Sequence, residues 1–226
     1  MQFSHSRVST FTQCPYKFKL QYVNGITTIR DPSPDDALII GNAMHKGIEE
    51  GILWSTKWYS EQFSLLNDLH INEIIKLQLL LPKVQKIIDY DNAVFEFALK
   101  TNDFIGFIDL IVKRADGTVE VFDFKYSNNV DKYLESEQLH IYKYYLEKVH
   151  DLKVSRLGYI FIPKTAIRQK KTEDLYQFRK RLIHTLNELE VKVCQVEYDQ
   201  HKVDKFFQTI IQIKQTKEYP KNQTKL

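Results

Sequence analysis

Two runs of strand-forming residues flank a glycine turn near the middle of the chain. They are Gly106-Phe107-Ile108-Asp109-Leu110-Ile111-Val112 and Val119-Glu120-Val121-Phe122-Asp123-Phe124-Lys125, joined through Arg114-Ala115-Asp116-Gly117-Thr118. A hairpin here constrains the fold more than any other feature. Its strands carry Asp109 and Asp123 among aromatic and β-branched residues, and an uncompensated carboxylate is costly to bury.

The turn decides where those carboxylates go. A two-residue loop at Asp116-Gly117 would pair Leu110 with Asp123 and send the aspartates to opposite faces. A three-residue loop, Ala115-Asp116-Gly117, pairs Arg114 with Thr118 and puts Gly117 where a positive φ is needed. Asp109 then lies opposite Asp123, with Cβ atoms about 5 Å apart. Lys125 shares their face because strand side chains alternate. Such carboxylates repel each other, and a bound cation reverses that sign. Two readings stand on the hairpin alone. One is a pair of partly solvated aspartates with Lys125 as ion-pair partner, and the other is a divalent-metal site for a phosphate substrate.

The 226 residues suffice for one sizeable α/β domain. A hydrophobic share of 43% against 27% charged residues fits an ordinary globule. A net charge of +3 is compatible with nucleic-acid binding without requiring it. The 13 tyrosines and 14 phenylalanines are expected mainly in the core, some free to stack on bases. No apolar run approaches the roughly 20 residues needed to span a bilayer, and Met1-Gln2-Phe3-Ser4-His5-Ser6 lacks the regions of a signal peptide. With only Cys14 and Cys194, the expected compartment is the cytoplasm, with both thiols reduced and Cys194 buried.

The patterning predicts a helix over Ser6 to Val23, broken or restarted at Pro15, a loop at Asp31 to Asp36, and helices over Ala37 to Trp54 and Ile71 to Tyr90. Val94 to Lys100 alternates as a strand ahead of the hairpin. Glu96 on it could support a site or face solvent, and solvent is the expectation. Asp131 reads as the N-cap of one long helix ending near Val149, with Leu134, Gln138, Ile141, Tyr142, Tyr145 and Val149 on one face. A strand over Gly158 to Ile162 and helices over Glu173 to Val191 and His201 to Lys217 complete the chain. Lys164, Arg168, Lys170 and Lys171 bracket a basic loop expected to be mobile, either solvated or in contact with a phosphate backbone. A crossover helix would return the fourth strand beside the first three. The expected class is α/β, a mixed central sheet flanked by helices. Residues 1–92 form a helical N-terminal part, 93–165 the sheet core and 166–226 a helical C-terminal part of one domain.

The order of these residues resembles the PD-(D/E)XK nucleases, and within them the RecB-like exonuclease branch. The resemblance rests on Ser9-Thr10-Phe11-Thr12-Gln13-Cys14-Pro15-Tyr16-Lys17-Phe18, Gly41-Asn42-Ala43-Met44-His45, Gly106-Phe107-Ile108-Asp109, Asp123-Phe124-Lys125 and Gln138-Leu139-His140-Ile141-Tyr142. It implies a restriction-endonuclease-like core with an N-terminal helical extension, in which Asp109, Asp123, the Phe124 carbonyl and His45 resemble the metal ligands. Such donors suit Mg²⁺ or Mn²⁺. Lys125 resembles the catalytic lysine, and Gln138 with Tyr142, spaced i, i+4, the motif that supports the site and the DNA strand. Outside that resemblance, His45 reads as a structural histidine and Gln138 and Tyr142 as core and edge residues.

Much of the RecB-like branch holds an iron–sulfur cluster on four cysteines. Only Cys14 matches one of them, and two thiolates cannot hold a four-iron cluster. The expectation is that the protein dispenses with the cluster or that the sequence stops ahead of the missing cysteines. Packing alone would then join the N-terminal helix to the C-terminal segment. No GxxxxGK[ST] stretch is present, so no helicase motor is expected within the sequence. The function implied is a metal-dependent DNA nuclease. The expected form is an exonuclease in recombination, repair or end processing, with a helicase or recombination protein as partner. The alternatives are a structure-specific or restriction-type endonuclease, or a non-catalytic DNA- or partner-binding module on the same fold.

Overall fold

A computed structural model of the chain describes residues 2–27 and 32–221. Asp31 of the expected loop and residues 222–226 of the final stretch lie outside them. Among the described residues, five strands form one mixed sheet in sequential order: β1 Ala93–Lys100, β2 Ile105–Lys113, β3 Val119–Tyr126, β4 Val154–Ile162 and β5 Lys192–Val196. All neighbours are antiparallel except β3 and β4, which run parallel across the helical connection. The chain's first strand pairing is short: Phe3 bridges Phe104, with its N–H donating to the Asp103 carbonyl at 2.7 Å.

The β2–β3 register is the one the three-residue turn predicts. Leu110 pairs with Phe122 and Lys113 with Val119. The Arg114 N–H donates to the Thr118 carbonyl and the Gly117 N–H to the Arg114 carbonyl, with Gly117 at φ +81°. Asp116 accepts from the Thr118 N–H and hydroxyl, which closes the turn from within.

Alternation along β3 divides the core. Val119 and Val121 face a cluster with Leu139, Ile141, Tyr142, Leu146, Phe206 and Ile210. Phe122 and Phe124 face another with Ile40, Met44, Leu77, Leu81, Phe178 and Leu182. The first layer holds α1 (His5–Gln13), α7 (Gln138–Val149) and α9 (Gln200–Gln215). The second holds α3 (Ala37–Glu50), α5 (Asp68–Gln85) and α8 (Leu175–Glu188). The flanked mixed sheet is the expected α/β class.

Several elements differ from the sequence reading. The first helix stops at Gln13 and restarts as α2, Pro15–Phe18, with Cys14 extended between them, and ends in a π-turn at Lys19–Val23. The second ends at Gly51, whose φ of +104° turns the chain into α4, Ile52–Ser60. Pro82 sits inside α5 without ending it. The long helix expected from Asp131 to Val149 is two helices. Asn129 caps a five-residue α6, Val130–Leu134, and α7 begins afresh at Gln138, so Leu134 is not on the Gln138 helix. β5 was not expected at all. Its five residues alternate weakly and follow α8 after a short link, so nothing local marks them as a strand. Cys194 lies on it half-buried rather than fully buried.

The basic segment after β4, expected to be mobile, carries hydrogen bonds at several points. Asn128 exchanges two hydrogen bonds with the Lys164 main chain, both at 2.8 Å. Arg181 donates to the Arg168 carbonyl, and Glu173 accepts from the Lys170 N–H. At the other end of the chain, Tyr219 packs on Phe11 and stacks on Phe18, with centroids 6.4 and 6.3 Å apart. Aromatic packing thus joins the C-terminal segment to the N-terminal helices.

Candidate active site

Beyond Leu110 and Phe122 the β2–β3 ladder stops, and the Asp109 side chain enters the gap. Its Oδ2 accepts from the Phe124 N–H at 2.8 Å, a bond that a strand carbonyl would otherwise make. Its Oδ1 lies 3.7 Å from His45 Nδ1, brought in from α3. Asp123, on β3, is met from the other helical layer by Gln138 of α7. Its carboxylate is 1% exposed, with Oδ1 accepting from Gln138 Nε2 at 2.7 Å and Oδ2 2.5 Å from Lys125 Nζ. That Oδ2 is buried and lacks a hydrogen bond of good geometry. Gln138 holds the group together: its Nε2 also donates to the Tyr142 hydroxyl at 3.0 Å, and its Oε1 accepts from Lys125 at 3.3 Å. The site therefore forms at the open end of a strand pair, where both helical layers reach it.

Glu96 is exposed, as the sequence reading expected, yet it also reaches the His45 end of this group. It is nearly half-exposed, but its Oε1 lies 3.8 Å from His45 Nδ1. On β1 the pairing runs through Phe95 with Leu110 and Phe97 with Ile108, and Glu96 falls between these rungs at φ +48°. A non-glycine residue in that region stores about 1–3 kcal/mol, which the surrounding structure must hold. The available signal was weak. The Thr101 to Phe104 connection carries no turn motif that fixes the β1–β2 register, so the face of Glu96 could not be derived.

The electrostatics follow from burial around like charges. Desolvation, then the Asp123 charge, push the Asp109 carboxyl up to about 7. His45 feels desolvation against its charged form, but its interaction with the Glu96 carboxylate and the charges of Asp109 and Asp123 outweigh it and raise its pKa. Lys125 is likewise opposed by burial, and Asp123 holds its ammonium above the ordinary range. Burial raises the Tyr142 phenol, so its hydroxyl stays protonated.

Ligand atoms of His45, Glu96 and Asp109 all lie within 4.8 Å of one another. With the buried Asp123 Oδ2 beside Lys125, the donors present are hard oxygens and one imidazole. That set fits a divalent cation, which would offset the carboxylate repulsion. Lys164, Arg168, Lys170 and Lys171 are exposed and stand apart from this group. Lys164 projects just beyond the parallel ends of β3 and β4, its Nζ 5.1 Å from the Tyr126 ring centroid.

The model of the PD-(D/E)XK nuclease superfamily matches residues 2–56 and 54–225, and the chain belongs to that superfamily. It is thus of a nuclease family whose members use divalent metals. Among solved structures, a protein of Eubacterium rectale named "Putative exonuclease" aligns over 99% of this chain and 85% of its own, with a TM-score of 0.61 and 12% identity. That likeness shows the fold. SSO0001 aligns at 14% identity over 89% of this chain and 86% of its own, with a TM-score of 0.32, too low to carry an argument. No curated protein matches. No described helix is long and apolar enough to cross a membrane.

Proposed function

We propose that this chain is a divalent-metal-dependent deoxyribonuclease that hydrolyses phosphodiester bonds, acting as an exonuclease on DNA ends. The observation that carries the reading is the convergence of His45, Glu96, Asp109 and Asp123 beside a Lys125 ammonium at one strand end. His45, Asp109 and Asp123 would hold Mg²⁺ or Mn²⁺, with the Phe124 carbonyl and Glu96 as further donors. When bound, the cation supplies an acidified water and charge stabilisation at the scissile phosphate.

The chain's own residues do the rest. Lys125 presents a fixed positive charge where negative charge builds on the phosphate, and can orient the attacking water. Gln138 fixes both partners at once, since its amide holds Asp123 through nitrogen and Lys125 through oxygen. Tyr142 orients that amide. Lys164, Arg168, Lys170 and Lys171 offer backbone-phosphate contacts. The setting that fits is recombination, repair or end processing in the cytoplasm, beside a helicase or recombination protein.

The test uses linear and circular DNA, single- and double-stranded, with Mg²⁺, Mn²⁺ or chelator. Asp123→Ala and Lys125→Ala should abolish cleavage of linear DNA, and circles should survive. Cleavage in chelator, or full activity in either variant, refutes the catalytic assignment. Degraded circles identify an endonuclease instead.

A further inference from the structure

Lys125 is held on more sides than the proposed chemistry explains. Asp123 Oδ2 and Gln138 Oε1 take two directions of its ammonium. Two aromatic rings close others: Nζ lies 5.3 Å from the Tyr133 centroid and 5.9 Å from that of Tyr159. Such contacts are attractive through the ring quadrupole within about 6 Å. The rings brace one another, with Tyr133 6.1 Å from Tyr159 and 5.8 Å from Phe161.

The two tyrosines are placed differently. Tyr159 is 1% exposed on β4, opposite Asp123 in the parallel pairing, and is part of the core. Tyr133 is half-buried on α6, the five-residue helix between the strand that carries Lys125 and the helix that carries Gln138. The break between α6 and α7 separates the helix of this ring from the helix of Gln138. On one continuous helix, Tyr133 and Gln138 would lie five residues, about 140° of helical rotation, apart.

We propose that Tyr133 is a positioning residue for Lys125, its ring covering the ammonium and confining the four-carbon side chain against Asp123. A lysine head otherwise keeps wide rotamer freedom, and the polar contacts at 2.5 and 3.3 Å leave its other directions open. The ring itself acts, so the hydroxyl is dispensable. This inference rests on the nuclease reading for its kinetic arm and on geometry alone for its spectroscopic arm.

The test compares Tyr133→Phe and Tyr133→Leu in the full chain. Cleavage of linear DNA is followed beside ¹³C-lysine spectra, in which Lys125→Arg identifies the Lys125 ε-methylene signal. Wild type and Tyr133→Phe should keep that signal shifted upfield by the rings and keep kcat within about twofold. Tyr133→Leu should return the signal toward the ordinary lysine position and lower kcat about fivefold at unchanged KM, the weight of one partly desolvated cation–π contact. If Tyr133→Leu does not fold, Tyr133→Met takes its place. An unmoved Lys125 signal overturns the proposal. So does a loss that appears only in KM, which marks a DNA contact, or equal damage from the phenylalanine variant. If wild type and Lys125→Ala are equally inactive, the nuclease reading fails, while the Lys125 signal still decides the positioning.

Discussion

Gly47→Ala and Gly41→Ala should move stability in opposite directions, although both replace a glycine inside α3. In an unpacked helix the exchange stabilises by about 1 kcal/mol, because alanine loses less backbone entropy on folding. Nothing lies within 4 Å of the position a Cβ would take at Gly41, so the gain should be kept there. At Gly47 a Cβ would fall 2.3 and 2.7 Å from the two Leu81 methyls and 2.9 Å from Ser55 Cβ. Leu81 is a buried residue of α5, and Ser55 is buried on α4 with its hydroxyl donating to the Ala43 carbonyl at 2.7 Å. The leucine methyls can swing only into packed neighbours, and a Cβ cannot swing at all. Parting three helices or forcing rotamers costs about 2–3 kcal/mol here, the upper part of the overpacking range, because all three contacts at 2.3, 2.7 and 2.9 Å are too close for a Cβ. This exceeds the propensity gain of about 1 kcal/mol. The net expectation for Gly47→Ala is a loss of about 1–2 kcal/mol. At this chain length each kcal/mol corresponds to about 2–4 °C, so Tm should fall about 2–8 °C, and Gly41→Ala should raise it about 2–4 °C. Calorimetry or circular dichroism reads both. A Tm for Gly47→Ala at or above wild type would refute the claim that close approach of α3, α4 and α5 requires glycine. Gly47 lies two residues beyond His45, so that contact also sets how far α3 carries the imidazole toward Asp109.

Other expectations follow from the same geometry. Gly117→Val should lower the urea midpoint by an equivalent of about 1–2 kcal/mol, because φ +81° disfavours a branched side chain although space there is open. His140 is buried with Nδ1 accepting from the Asp199 N–H, and desolvation with the Lys202 charge lowers its pKa to about 4. Its folded pKa lies below the unfolded value of about 6.5, so its contribution is present above that pH and is lost as pH falls toward 4, amounting to at most about 3 kcal/mol. Urea titrations at pH 7 and 4 should show that loss, reduced in His140→Gln. Glu96→Gln and His45→Ala should each weaken Mn²⁺ binding by about 10- to 100-fold in calorimetric titration, with Tm unchanged for Glu96→Gln. Unchanged affinity in both would remove them from the metal site.

The hairpin was legible because its turn is local. Asp116 and Gly117 have few other conformations open to them, and the register follows from them over short range. The broken helix at Ser136 and Glu137 was not legible, since residues 130–149 keep helical spacing on both sides of the break. What interrupts it lies elsewhere in the chain: His5 and Lys205, from α1 and α9, converge on Glu137, and the His5 ring meets the Ser136 hydroxyl. β5 was likewise invisible, because only the exposed edge of β4 makes Lys192–Val196 a strand.

The sequence by itself determined the pairing of the Asp109 and Asp123 strands, the lysine two residues on, and the family to which these motifs belong. Each depends on neighbours close in sequence, where alternation and turn chemistry act. Tertiary structure alone decided that Asp109 would fill a gap in its own ladder, that Glu96 would turn toward His45 in a strained conformation, and that Tyr133 would cover Lys125. These placements come from segments tens of residues apart competing for one desolvated volume, and no local pattern encodes the outcome.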